Sequence, residues 1–284
     1  MITSNFSILE CELRQIADAL LLNGTLTKCP GLVQGKMGIA IFFFHYAHYT
    51  NNTLFAEYAW DVIGEMQNQL HANYRADYEK GIAGIGVGID YLNRSGFLDI
   101  EDDIFEDFDE RMYRAVMYDG WFNFRLYEGL VGYGKYWMVR SHQKSSSALE
   151  CLMYIISQIE KQWTDLSAEE QADIYYFLHE ARKISDLDIA EELFEQLGKL
   201  SSYTYCNFSR LGNSIVGNVV HKIQSIRYCM DTNCNEIDSI LKQIPILDRE
   251  KSSFATGLLT GYAGEGLMRL TALRAVDTLS LIHI

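Results

Sequence analysis

The sequence predicts an all-α protein, an (α/α) toroid of about six to seven helical hairpins, and three observations lead there. First, only two prolines, Pro30 and Pro245, occur in 284 residues, and the longer periodic stretches contain neither, so the strongest helix breaker is missing from them. Second, glycines spaced i, i+3 recur. They are Gly35 and Gly38 in "GLVQGKMGIA", Gly81 and Gly84 in "YEKGIAGIGVGIDYL", Gly129 and Gly132 in "RLYEGLVGYGKYWMVR", and Gly261 and Gly264 in "GLLTGYAGEG". The first three copies lie 46 and 48 residues apart, a period that suits a helical hairpin repeat. Third, the segments between copies carry apolar residues at i, i+3 or i+4, the pattern of an amphipathic helix.

The N-terminal stretch carries acidic residues and only one short apolar run, Ala19–Leu22, so it reads as neither a signal peptide nor a membrane span. In the first copy, glycines at i and i+3 on the opening turn of a helix share one face and leave it bare, so neighbouring backbone can approach closely. Glycine costs about 1 kcal/mol against alanine inside a helix, and its repeated placement at helix starts points to a crowded junction of inner helices around an axis. An open solenoid is the alternative arrangement for such a period. The run "NTLFAEYAWDVIGEMQNQL" supplies the outer helix of the first hairpin. After the second copy, "LDIEDDIFEDFDE" sets Asp99, Glu101, Asp103 and Glu110 at the carboxylate positions of a calcium-binding loop. Ile104 stands where that loop needs glycine, and Ile100, Ile104, Phe105, Phe108 and Met112 form an apolar stripe, so the segment reads as a helix with a solvated acidic face.

After the third copy, "LECLMYIISQIEKQW" is the next outer helix. Ser209, which with Gly212 forms a weaker copy, lies 80 residues past Gly129, nearly two periods. A repeat that has lost its glycines is expected between them, at residues 167–182. Gly261 follows Ser209 by 52 residues. Residues 1–284 read as a single domain. The last six, "LSLIHI" at 279–284, break off without a helix cap and read as a non-native extension, with no role assigned to His283.

The formal charge of −14 argues against nucleic acid and anionic membrane surfaces as partners, because phosphate contacts need clustered Lys and Arg. The chain has no apolar run of the roughly 18 residues that a span needs. Six scattered cysteines without a CxxC pair read as reduced thiols, and a cytoplasmic location is expected.

At "GLVQGKMGIAIFFFHYA", "GIAGIGVGIDYLNRSGF", "LYEGLVGYGKYW" and "GLLTGYAGEGLMRLTAL" the chain resembles the lanthionine synthetase C-like family, over nearly its whole length. The resemblance implies a toroid with a central cavity. In catalytic members it also implies a zinc ion held by one Cys from one repeat and a Cys-His pair from a later one. That zinc activates a peptide cysteine for addition to a dehydrated Ser or Thr, forming a thioether, and a nearby His protonates the enolate. Thiolate and imidazole ligands with one open position suit this chemistry. No Cys-His dipeptide occurs in this chain; Cys206 is the late cysteine near a glycine-type motif, with Asn207 where catalytic relatives carry His. Cys206 is therefore the metal-ligand candidate, and the zinc set is expected to be absent or altered. The expected partners are a peptide substrate or a modifying enzyme, bound either for cyclisation or without catalysis.

His45 and His48 share a helix face and read as packed, hydrogen-bonded side chains. "GIGVGID" lacks the strand and the spacing of a dinucleotide turn. Six-hairpin toroids also include sugar-cleaving enzymes that use paired carboxylates, which makes Glu79, Glu128 and Glu265 candidates; acids also favour helix starts for the macrodipole alone. Asp102, Asp103 and Asp107 lie on the acidic face, which could attract a basic leader peptide or partner subunit.

Overall fold

The computed structural model describes residues 2–100, 102–142, 145–207, 255–259 and 261–276, and among them it holds ten α-helices and no strand. They are α1 (Ile2–Asn23), α2 (Lys36–Thr50), α3 (Thr53–Gln67), α4 (Ile82–Arg94), α5 (Glu106–Met117), α6 (Leu130–His142), α7 (Ser146–Gln162), α8 (Ala168–Ala181), α9 (Glu191–Asn207) and α10 (Tyr262–Ala272). Ser209, Gly212 and residues 279–284 lie outside the described residues.

Burial divides the helices into two layers. Every residue of α2 from Lys36 to Ala47 is buried, as is every residue of α4 from Ile82 to Leu92, which is the mark of helices enclosed on all sides. By contrast, α3 buries only Ala59, Val62, Ile63 and Met66, and α5 only Met112, Ala115 and Val116. Each inner helix packs on the outer helix that follows it: α2 on α3, α4 on α5, α6 on α7 and α8 on α9. The inner helices also touch in the order α10, α2, α4, α6, α8, while α1 covers α10. The last described helix therefore lies against the first hairpin.

The segment at 167–182 forms α8, as the gap in the repeat predicted. One detail differs from the sequence reading. A 3₁₀ turn, Asp102–Phe105, precedes α5, and it turns Ile104 out to solvent, away from the buried Phe105 and Met112. No helix among the described residues is long and apolar enough to cross a membrane.

Candidate functional site: the stacked glycine turns

The glycine turns are built alike. Gly35, Gly81 and Gly261 each cap a helix with extended backbone and no side-chain cap bond. The orphan amides of the first turn are satisfied by the loop itself. Lys36 N–H donates to the Cys29 carbonyl (2.9 Å), Ile82 to Arg75 (2.9 Å), Leu130 to Asn123 (3.0 Å) and Tyr262 to Ala255 (3.0 Å), in each case seven positions back. A side-chain cap is redundant where the loop closes on its own helix start.

Successive turns are also joined to one another through backbone. Leu258 N–H donates to Val33 (2.7 Å), Val33 N–H to Glu79 (3.0 Å) and Glu79 N–H to Tyr127 (3.0 Å). The second glycine of each pair receives a side chain from the preceding turn in this series. A Cβ on Gly38 would stand 2.7 Å from Leu258 Cγ, one on Gly84 3.0 Å from Leu32 Cβ, and one on Gly132 2.8 Å from Tyr78 Cβ. The final turn thus sits on the first as the first sits on the second and the second on the third. A further contact repeats two residues deeper: bare positions at Gly266, Gly86 and Gly134 face the rings of Phe42, Tyr136 and Phe177.

The fourth repeat shows what replaces a glycine turn. Phe177 takes the place in α8 that Tyr136 has in α6, so Glu170 and Asp173 stand where the glycine pair would be. Their carboxylates accept amides of the third turn, Phe124 N–H on Glu170 Oε1 (3.2 Å) and Leu126 N–H on Asp173 Oδ2 (2.9 Å); the amides of Tyr78 and Leu258, at the position of Leu126, go to turn carbonyls instead. Ser167 and Glu170 also form a reciprocal capping box. Burial opposes the Glu170 charge, but hydrogen bonds from the Ser167 hydroxyl and from the Phe124 and Ser167 amides, with Arg125 nearby, hold the carboxyl below its ordinary 4.5. A depressed folded-state value means stability that is present above the ordinary range and lost as pH falls through the folded-state value. Glu170→Gln is expected to cost about 1 kcal/mol at pH 7. Urea titrations of both proteins should show the difference shrinking as pH drops below 4.5.

The residues expected from sequence have different surroundings. Glu79 lies on the second turn, 3.5 Å from Lys80 Nζ, and Glu128 is exposed on the third. Glu265 is instead in a network with α1: Arg269 Nη1 lies 3.6 Å from its carboxylate, and Arg269 Nε donates to Glu12 (2.9 Å). Burial pushes the Glu265 carboxyl up, Arg269 opposes this, and Glu12 adds to it. His45 and His48 also part. His45 is buried, with Nε2 2.7 Å from the Tyr91 hydroxyl, and burial, then His48, lower its pKa to about 4; His48 is exposed.

One polar pair escaped the sequence reading. Six positions past the start of their motifs, Ile41, Val87 and Leu267 are apolar and packed, whereas the same level in the third and fourth repeats holds Lys135 and Tyr176. Lys135 Nζ donates to the Tyr176 hydroxyl (2.6 Å) and lies 4.8 Å from its ring centre. Tyr78, held well above the usual phenol range by burial and then by Tyr176 and Tyr127, stays protonated beside them. Neither residue stands out alone in its own repeat; only the register between repeats brings them together.

Among the described residues no three His, Cys, Asp or Glu side chains are grouped to hold a metal ion. Burial, then Glu150 and Asp109, push the Cys151 thiol up to about 12, so it is not a thiolate ligand near neutral pH. Cys206 lies on the last turn of α9, and its side chain lies outside the described residues. No family model matches the chain, and no curated protein matches it.

Proposed function

We propose that the chain closes into an (α/α) toroid of the lanthionine synthetase C-like kind and holds a ribosomally made peptide, without thioether chemistry of its own. The reading is supported by one observation above the others: the last glycine turn is bonded to the first through backbone and makes with it the same glycine-to-side-chain contact that joins the earlier turns, the residue three before one glycine pair meeting the second glycine of the next. A repeat array whose last described turn continues the series at its first fits a ring, whereas an open solenoid leaves its terminal repeats apart.

The peptide-holding role is preferred to the cyclase because the chain has no Cys-His dipeptide. For the sugar-cleaving alternative, Glu265 is engaged through Arg269 with Glu12 of α1, while Glu79 and Glu128 lie on adjacent turns. Metal analysis of protein purified under reducing, zinc-replete conditions separates the two peptide readings. The holding role predicts no bound zinc and no loss of free thiol in a test peptide carrying both cysteine and dehydroalanine. Stoichiometric zinc that disappears in Cys206→Ala, together with thiol consumption, would establish the cyclase instead.

A further inference from the structure

The outer layer carries an apolar surface whose neighbours are acidic. Helices α5 and α7 pack side by side, with Tyr113 donating from its hydroxyl to Glu150 (3.0 Å) and Ser145 Oγ 3.5 Å from Asp109. These pairings bring the C-terminal end of α5 level with Met153, one turn beyond Glu150. The Tyr113 and Tyr118 rings are 6.0 Å apart. Tyr118 is 76% exposed and Met153 60% exposed. The chain then turns through Asp119 and Gly120 into Phe122, which is 97% exposed. Its neighbour Trp121 instead packs against Phe124, ring centres 5.0 Å apart, so the loop is anchored on one ring while presenting the other. Single exposed apolar side chains are ordinary, but aromatic and methionine side chains gathered on one surface mark an interaction site.

Exposed carboxylates stand on the two helices that carry this surface, Glu106, Asp107 and Glu110 on α5 and Glu150 on α7. The basic residues of α5 are already engaged: Arg111 pairs with Asp119 (2.8 Å) and donates from Nε to the Tyr74 carbonyl (2.8 Å), and Arg114 donates to the Ala72 carbonyl (2.5 Å). Apolar rings edged by carboxylates complement a segment that alternates apolar and basic side chains.

We propose that the surface formed by Tyr113, Tyr118, Phe122 and Met153 docks a cationic amphipathic segment of a partner protein. The rings take its apolar side chains in a partly desolvated contact, and Glu110 and Glu150 receive its Lys or Arg heads. It extends the peptide-holding role and rests on it, placing a partner contact on the outer helices in addition to the interior.

The test uses the full chain and a short fluorescein-labelled peptide with leucines and lysines at helical spacing, followed by anisotropy at physiological salt. The combined Tyr118→Ser, Phe122→Ser and Met153→Ser variant should weaken binding about tenfold or more. Glu110→Gln with Glu150→Gln should weaken it and flatten its salt dependence. Glu57→Gln with Asp61→Gln, exposed carboxylates on α3, should leave it unchanged. Should the triple variant lose helical circular dichroism, Phe122→Ser alone carries the test, with about threefold weakening expected. Unchanged binding in the apolar variants overturns the proposal, and so does equal weakening by the α3 pair, which would assign the attraction to net charge. Self-association in sedimentation that the triple variant abolishes would also overturn it, giving the surface to a second copy of the chain. Neither zinc nor thioether formation enters the readout, so this proposal can fail while the proposed function stands.

Discussion

Gly132→Ala should lower stability by about 3 kcal/mol, at the upper end of ordinary overpacking, and the melting temperature by about 6 to 12 °C. The added methyl would overlap the Leu126 carbonyl oxygen and stand 2.8 Å from Tyr78 Cβ. Both neighbours are held through their own amides. Leu126 donates its own N–H to Asp173, and Tyr78 donates its amide to the Tyr127 carbonyl (3.1 Å), so neither retreats without breaking a bond between turns. Gly64→Ala is the matched control. It lies on exposed α3 with nothing within 4 Å of the added methyl, and relief of the helix penalty should raise stability by about 0.5 to 1 kcal/mol. Thermal melts by circular dichroism separate the two. If Gly132→Ala melts within about 2 °C of the native chain, the turn-to-turn contact is not what requires glycine there.

That contrast shows why part of the fold was legible beforehand. A position that tolerates no side chain leaves a visible mark, because one residue type meets it, and three such pairs at intervals of 46 and 48 residues, with a fourth at Gly261 and Gly264, disclosed the repeat. The fourth repeat left no such mark. Glu170 and Asp173 receive neighbouring amides with side-chain oxygens where the other repeats use turn carbonyls, so the same role is met by chemically unlike residues. The deeper contacts at Gly86, Gly134 and Gly266 were present in the sequence as a third glycine two places after each pair. Their meaning depended on knowing that an aromatic ring of the next repeat faces them. Tertiary polar pairs were less legible still. Lys135 and Tyr176 lie 41 positions apart, and nothing local in either segment calls for the other. The Arg269–Glu12 pair spans 257 positions. Hydrophobic periodicity predicts that α10 has a buried face, but it carries no information about which helix covers it.

Arg269→Met should destabilise the chain by about 3 to 5 kcal/mol at pH 7, the usual effect of breaking a buried ion pair from one side. Arg269 is 1% exposed and joins α10 to α1 through Glu12, while its Nη1 also donates to the Glu265 carbonyl (3.1 Å). Methionine keeps much of the volume but leaves the Glu12 and Glu265 carboxylates without the guanidinium that offsets them. Burial already pushes the Glu265 carboxyl up with Arg269 in place, and loss of the cation should raise it further. A group whose folded-state value exceeds its unfolded value binds more protons when folded, so stability falls as pH rises through that window. The variant should therefore recover stability as pH is lowered through the window above 4.5. Adding Glu12→Leu should restore most of the loss at pH 7, because a buried pair replaced by apolar side chains of similar volume is often near neutral. Urea titrations of the single and double variants at two pH values decide this, and a single variant within about 1 kcal/mol of the native chain would refute it. The same pair has a structural reach. With α1 holding α10, the final turn is kept against the first, so Arg269→Met should speed hydrogen exchange at the Leu258 amide, which donates to Val33, before it speeds exchange within α4.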